Sequence, residues 1–138
     1  MERRTFLATL GAAAVSSVAG CASVSSGSQE FDVGMTPVAF EPLNFTVQVG
    51  DEVVWQNTST REHTVTAYED GLPEGASYFA SGDYETESEA RDDFYASFGG
   101  AITSGDSYSH RFEVAGEYPY FCIPHEQAGM VGTIVVEE

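Results

Sequence analysis

The chain has 138 residues and a formal net charge of −17 at pH 7, with 22 acids set against five arginines and no lysine. Such a length holds one globular domain and leaves no room for a second catalytic one, and a hydrophobic share of 42% argues against a disordered chain. The charge excludes nucleic acid as a partner, because phosphate binding needs a positive surface, and no apolar run reaches the roughly 18 residues of a conventional membrane span.

The first thirty residues read as an address. Met1–Leu7 is M-E-R-R-T-F-L, and residues 5–29 carry no charge. An arginine pair before a short, Ala/Ser-rich apolar region is the pattern of an export signal. A helix built from Gly11, Ala12, Ala13, Ala14, Ser16 and Ser17 would have no amphipathic stripe, so this stretch is not expected inside the fold. Arg3-Arg4-Thr5-Phe6-Leu7 resembles a twin-arginine signal, and Val18-Ala19-Gly20-Cys21 resembles a lipoprotein box. That resemblance implies lipid on Cys21 and an anchor at the outer face of the cell membrane; a plain signal with an unmodified Cys21 is the alternative. Residues 1–21 are thus expected to be signal, 22–30 a polar flexible tether, and 31–138 the domain.

Two cysteines in an exported chain ordinarily suggest a disulfide. Here Cys21 lies at the tether, while Cys122 lies between aromatics and a histidine. With Cys21 lipidated, Cys122 is an odd thiol in an oxidising space. A metal is its natural occupant.

From residue 31 onward the pattern is that of strands. Phe45-Thr46-Val47-Gln48-Val49 alternates, Gly50-Asp51 turns, and Glu52-Val53-Val54-Trp55-Gln56-Asn57 resumes an extended run. His63–Tyr68 is β-rich. Tyr108, His110, Phe112 and Val114 alternate with polar residues as a half-buried strand. Ala115-Gly116 then turns into Glu117–Cys122, and Val131–Val136 closes the chain. Short strands between turn signals predict an all-β antiparallel sandwich. The exception is a long acidic excursion from Tyr68 to Gly105. Within it, Thr86, Ala90 and Phe94 recur at helical spacing and predict one short amphipathic helix over residues 83–98.

The chemistry is concentrated in nine residues, Cys122-Ile123-Pro124-His125-Glu126-Gln127-Ala128-Gly129-Met130. They place a thiolate, an imidazole and a thioether in one loop between two strands. His63 begins a strand upstream, and a sandwich can bring that end beside the loop. Taken singly, a buried cysteine or methionine is usually packing and a strand-end histidine is usually solvated. Together, Cys-x2-His-x4-Met and an upstream histidine form a soft donor set that selects copper, whereas zinc more often takes further cysteines or a carboxylate. Pro124 stiffens the loop, and Gly129 allows the turn that aims Met130 inward. His110 shares a face with Tyr108, Phe112 and Val114, as a packed histidine does, yet spacing alone leaves it open as the second imidazole.

Residues 116–132 resemble the copper loop of the plastocyanins, and Phe40-Glu41-Pro42, Val49–Asn57 and His63-Thr64-Val65 follow the same pattern. The chain as a whole resembles the halocyanins, lipid-anchored archaeal relatives, and its acid-rich, lysine-free composition resembles proteins of salt-loving archaea. Coverage is good over residues 38–67 and 107–136 and weak over 69–104. The resemblance implies a Greek-key cupredoxin β-sandwich with one type 1 copper ion. Its ligands would be His63, Cys122, His125 and Met130, not His110, with Asn57, Thr64 and Pro124 around them. Plastocyanins usually carry an asparagine straight after the first histidine ligand, where this chain has Thr64.

A one-electron carrier between redox proteins, rather than an enzyme, is the implied function. His125 would present its ring edge as the electron port, and Ile123, Pro124, Ala128 and Val131 would form a docking patch around it. The protein is expected to be monomeric, exported and held to the membrane through Cys21. A copper-handling chaperone or storage protein is the alternative, although such proteins favour exposed sites rich in methionine or histidine.

Overall fold

The structure is a computed structural model that describes residues 30–138; the expected signal and lipoprotein box, with Cys21, and nearly all of the expected tether lie outside the described residues. Among the described residues the strands are β1 (Val33–Met35), β2 (Phe40–Glu41), β3 (Asn44–Gln48), β4 (Glu52–Asn57), β5 (Thr66–Ala67), β6 (Ser107–Arg111), β7 (Gly116–Phe121) and β8 (Val131–Glu137), with one α-helix, α1 (Glu87–Ser97). Burial follows the period of two expected of strands. In β4 Val53, Trp55 and Asn57 turn inward, and in β8 Gly132, Ile134 and Val136 do so.

The strands form two four-stranded sheets, in the orders β2-β1-β4-β6 and β3-β8-β7-β5. Most pairs are antiparallel as expected, but β1 runs parallel to β4 and β3 parallel to β8. Trp55 fills the space between the sheets, ringed by Phe79, Tyr108, Phe112 and Tyr120 with centroids 5.4–6.4 Å away. Burying each such ring stabilises the fold by roughly 2–3 kcal/mol. Gly132 is required here by contact: a Cβ would lie 2.7 Å from the Tyr120 hydroxyl.

The expected strand over 63–68 contracts to Thr66–Ala67. His63 instead makes an isolated bridge with Ile102, and the Val65 carbonyl accepts from Ser81 N–H at 2.7 Å. Loops of the acidic excursion thus take the backbone bonds that a longer β5 would have used. The helix is present. Thr86 caps it rather than sharing its face, its hydroxyl accepting from Glu89 N–H at 3.1 Å. Ala90 and Phe94 are its buried residues, and they pack with Phe121 and Ile123 beside the loop that follows β7.

Candidate metal centre

The end of β7 delivers Cys122 into the interior, and the His63–Ile102 bridge holds the other side. His63 Nδ1 lies 3.5 Å from Cys122 Sγ and His125 Nδ1 lies 3.4 Å from it. The donor atoms of these three residues fall within 4.8 Å of one another. His63 and Cys122 are fully buried, while His125 is only half-buried. His110 is elsewhere: it pairs across from Val53 and stacks on Phe79 at 4.7 Å. The packed reading of that residue is the one observed.

The loop between β7 and β8 is a short 3-10 helix, Ile123–Ala128, opened by Cys122 and closed by Gly129 at φ 92°. That left-handed conformation suits glycine. It lets Met130 N–H return to the His125 carbonyl at 3.1 Å, while Cys122 N–H donates to the Met130 carbonyl at 3.0 Å. The Met130 side chain is thereby kept in the interior, with no exposure. Pro124 stands in the first turn, where a missing N–H costs nothing.

Thr64 serves the sulfur directly. Its N–H points at Cys122 Sγ from 3.4 Å, and its hydroxyl accepts from Ile123 N–H at 2.8 Å. Asn57 touches none of the three clustered donor atoms; it reaches His63 through Ser59, a residue that sequence reasoning missed. Ile123 corrects an expectation: it is 3% exposed, because α1 covers it. Pro124, Ala128 and Val131 are exposed.

Charge around the centre is arranged to keep the donors neutral until a metal arrives. Burial, then the nearby His125, lowers His63 to about 4. Burial also lowers His125 and pushes the Cys122 thiol up to about 11, partly offset by N–H groups of Thr64 and His125.

A clasp from α1 was not legible in the sequence. Arg91 forks onto Glu126, with contacts of 2.8 and 3.2 Å, and also reaches Glu87. Its guanidinium lies 4.2 Å over the Phe121 ring, and Tyr68 donates to the same Glu126 carboxylate at 2.6 Å. Glu126 follows His125, so the helix of the acidic excursion grips the donor loop.

A buried thiol, two neutral imidazoles and an interior methionine beside them fit copper better than a hard cation. Gathered at one end of a two-sheet sandwich, they define the cupredoxin class. The profile described as "Copper binding proteins, plastocyanin/azurin family" matches residues 28–137. The chain belongs to that family, and copper is its cofactor. It is 35% identical over 100 residues to the chloroplastic plastocyanin of Tetradesmus obliquus, 72% of this chain but only 59% of that longer one. It is 36% identical to the plastocyanin of Scenedesmus fuscus over 72% of this chain and 88% of that one. A reduced amicyanin variant superposes with a TM-score of 0.55 at 27% identity, over 76% of this chain and 79% of that one. A purple cupredoxin from Nitrosopumilus maritimus, at 22% identity and a TM-score of 0.52 over 77% of this chain and 100% of that one, shares the fold.

Proposed function

We propose that this protein is a one-electron carrier that holds one copper ion at a type 1 site and passes electrons between redox proteins. The convergence of His63 Nδ1, Cys122 Sγ and His125 Nδ1 carries this reading. These three would be the strong ligands and Met130 a weaker one, and copper bound there would supply the Cu(II)/Cu(I) couple. The protein's part is to keep the donors in one arrangement suited to both oxidation states. Its means are the His63–Ile102 bridge, the Cys122–Met130 backbone bond and the Arg91 clasp on Glu126.

Burial of His63, Cys122 and Met130 excludes water, and the half-buried His125 is the port. Apolar surface beside it suits a docking partner. Pro124, Ala128 and Val131 are exposed there, and the parallel register Asn44↔Thr133 sets exposed Leu43 next to the start of β8. The same burial favours a carrier over a copper-handling protein, which must surrender its metal readily. We place the protein at the outer face of the cell membrane as a monomer, exported by its twin-arginine-type signal and tethered by lipid on Cys21.

The test is to express the full chain with copper. One copper per chain is expected, with a blue colour that a reductant bleaches and an oxidant restores; a copper-loaded protein that stays colourless in the presence of oxidant sinks the proposal. Cys122→Ser should abolish the colour while the domain stays folded. Intact mass of the mature protein checks the lipid on Cys21.

A further inference from the structure

Behind His63 lies a chain of hydrogen bonds that runs through Ser59 to Asn57. Asn57, at the end of β4 and 1% exposed, donates from Nδ2 to the carbonyls of Arg61 at 2.6 Å and Ile102 at 2.8 Å. Two carbonyls on one side fix the orientation of the amide, because only its NH2 end can serve them. Its Oδ1 therefore faces Ser59 and accepts from the Ser59 N–H and the Ser59 hydroxyl, each at 2.9 Å.

Ser59 is 7% exposed and owns a single hydroxyl proton. The acceptors within its reach are Asn57 Oδ1 at 2.9 Å, an unprotonated His63 Nε2 at 3.1 Å and, more distantly, the Arg61 carbonyl at 3.4 Å. Arg61 N–H donates to Ser59 Oγ at 3.1 Å. His63 Nε2 is also 3.1 Å from Ser59 Oγ. Asn57 Oδ1 is the nearest of these acceptors, and with the serine proton there the contact to Nε2 is a hydrogen bond in which Nε2 carries a proton and donates it. Neutral imidazole has one N–H, so Nδ1 keeps its lone pair, and Nδ1 is the atom that faces Cys122 Sγ.

We propose that Ser59, held by Asn57, is a positioning residue that fixes His63 as its Nε2–H tautomer and keeps the Nδ1 lone pair aimed at the metal position. The inference rests on His63 being a ligand, as argued above. Histidine ligands take their tautomer from the partner of the other ring nitrogen, which also sets how strongly they donate. The Thr36 backbone also favours a protonated ring. A side-chain hydroxyl in this place makes the device open to substitution, as a backbone carbonyl is not.

The test combines long-range 15N–1H NMR on the full chain, metal-free and copper(I)-loaded, with the reduction potential. The wild type should show a slowly exchanging His63 Nε2–H in both forms. In Ser59→Ala that proton should exchange about tenfold faster, and the potential should rise because a weaker imidazole donor favours copper(I). Ser59→Thr should restore both. A serine that merely supports the fold would lower stability in Ser59→Ala and leave the potential unmoved, which overturns the proposal. A proton on Nδ1 in the metal-free wild type overturns it as well, and that measurement decides even if the alanine variant fails to fold. A wild-type chain that takes up no copper sinks the electron-carrier reading instead, while the metal-free spectrum still reports the tautomer.

Discussion

Thr64 holds Cys122 from two sides: its N–H points at the sulfur from 3.4 Å, and its hydroxyl takes the N–H of the next residue, Ile123, at 2.8 Å. A second link runs from the same hydroxyl to Thr66 Oγ1 at 3.0 Å. The family's usual asparagine is therefore replaced by a residue that still ties the donor loop to the His63 segment. Hydrogen bonds at a thiolate sulfur and its flanking backbone tune the metal as well as the fold.

Thr64→Val keeps the shape and removes the hydroxyl. It leaves Ile123 N–H buried without an acceptor, which should cost about 1–3 kcal/mol. Denaturant unfolding of the metal-free protein would measure it, and Thr64→Ser should recover most of the loss. A valine variant as stable as the wild type would show that the Ile123 N–H finds another partner.

Arg91 and Glu126 are partly exposed, with side-chain accessibilities of 31% and 28%. Exposed pairs usually contribute about 0–1 kcal/mol. The fork on Glu126, the Phe121 ring beneath the guanidinium and the Tyr68 hydroxyl place this pair at the upper end of that range. A double-mutant cycle with Arg91→Met and Glu126→Gln should give a coupling of about 1 kcal/mol. Amide exchange should quicken over residues 123–129 in either single variant. Unchanged exchange there would mean that the helix does not steady the loop.

How much of this the sequence shows depends on how far apart the partners lie. Cys122, His125 and Met130 share one short loop, so their chemistry is visible as spacing. His63 is 59 residues from Cys122; only the family resemblance singles it out from His110. Ile123 looks like surface because nothing in its neighbours reveals that Phe94 will cover it. Arg91 and Ser59 look like solvated polar residues for the same reason, their partners being 35 residues away in one case and a histidine four residues on in the other. β1 and β2, of three and two residues, are too short to show periodicity, and with β1 went one of the two parallel pairings.

The net charge of −17 should make association with a charged redox partner steeply salt-dependent only at low ionic strength. In molar salt the Debye length is about 3 Å, shorter than any steering distance. Stopped-flow rates should therefore fall or rise below about 0.3 M and flatten above about 1 M. A steep dependence persisting through the molar range would show that long-range charge guides docking after all.

The buried thiol makes a prediction about protons. Between the ordinary histidine value of 6.5, below which both His63 and His125 are shifted, and the raised Cys122, at about 11, the metal-free site holds neutral imidazoles and one displaceable proton, on sulfur. Copper(I) loading should then release one proton per ion, and apparent affinity should rise about tenfold per pH unit across that window. Near pH 9 the reading is sharpest. A thiol at its ordinary value of 9.0 would already be half ionised and release about half a proton; the buried one should still release nearly a whole one. Calorimetry in buffers of different protonation enthalpy counts it, and a count near one half would mean that the sulfur is wetter than its surroundings indicate. On the acid side His63 carries the largest of the histidine shifts, and the lowered His125 and His110 act in the same direction. The folded value of His63 lies below the 6.5 of the unfolded chain, so unfolding takes up a proton between the two. Stability of the metal-free domain should therefore be level from about pH 6.5 to about 9, where the raised thiol begins to count against it, and fall as pH drops toward 4, with His63 contributing on the order of 2–3 kcal/mol.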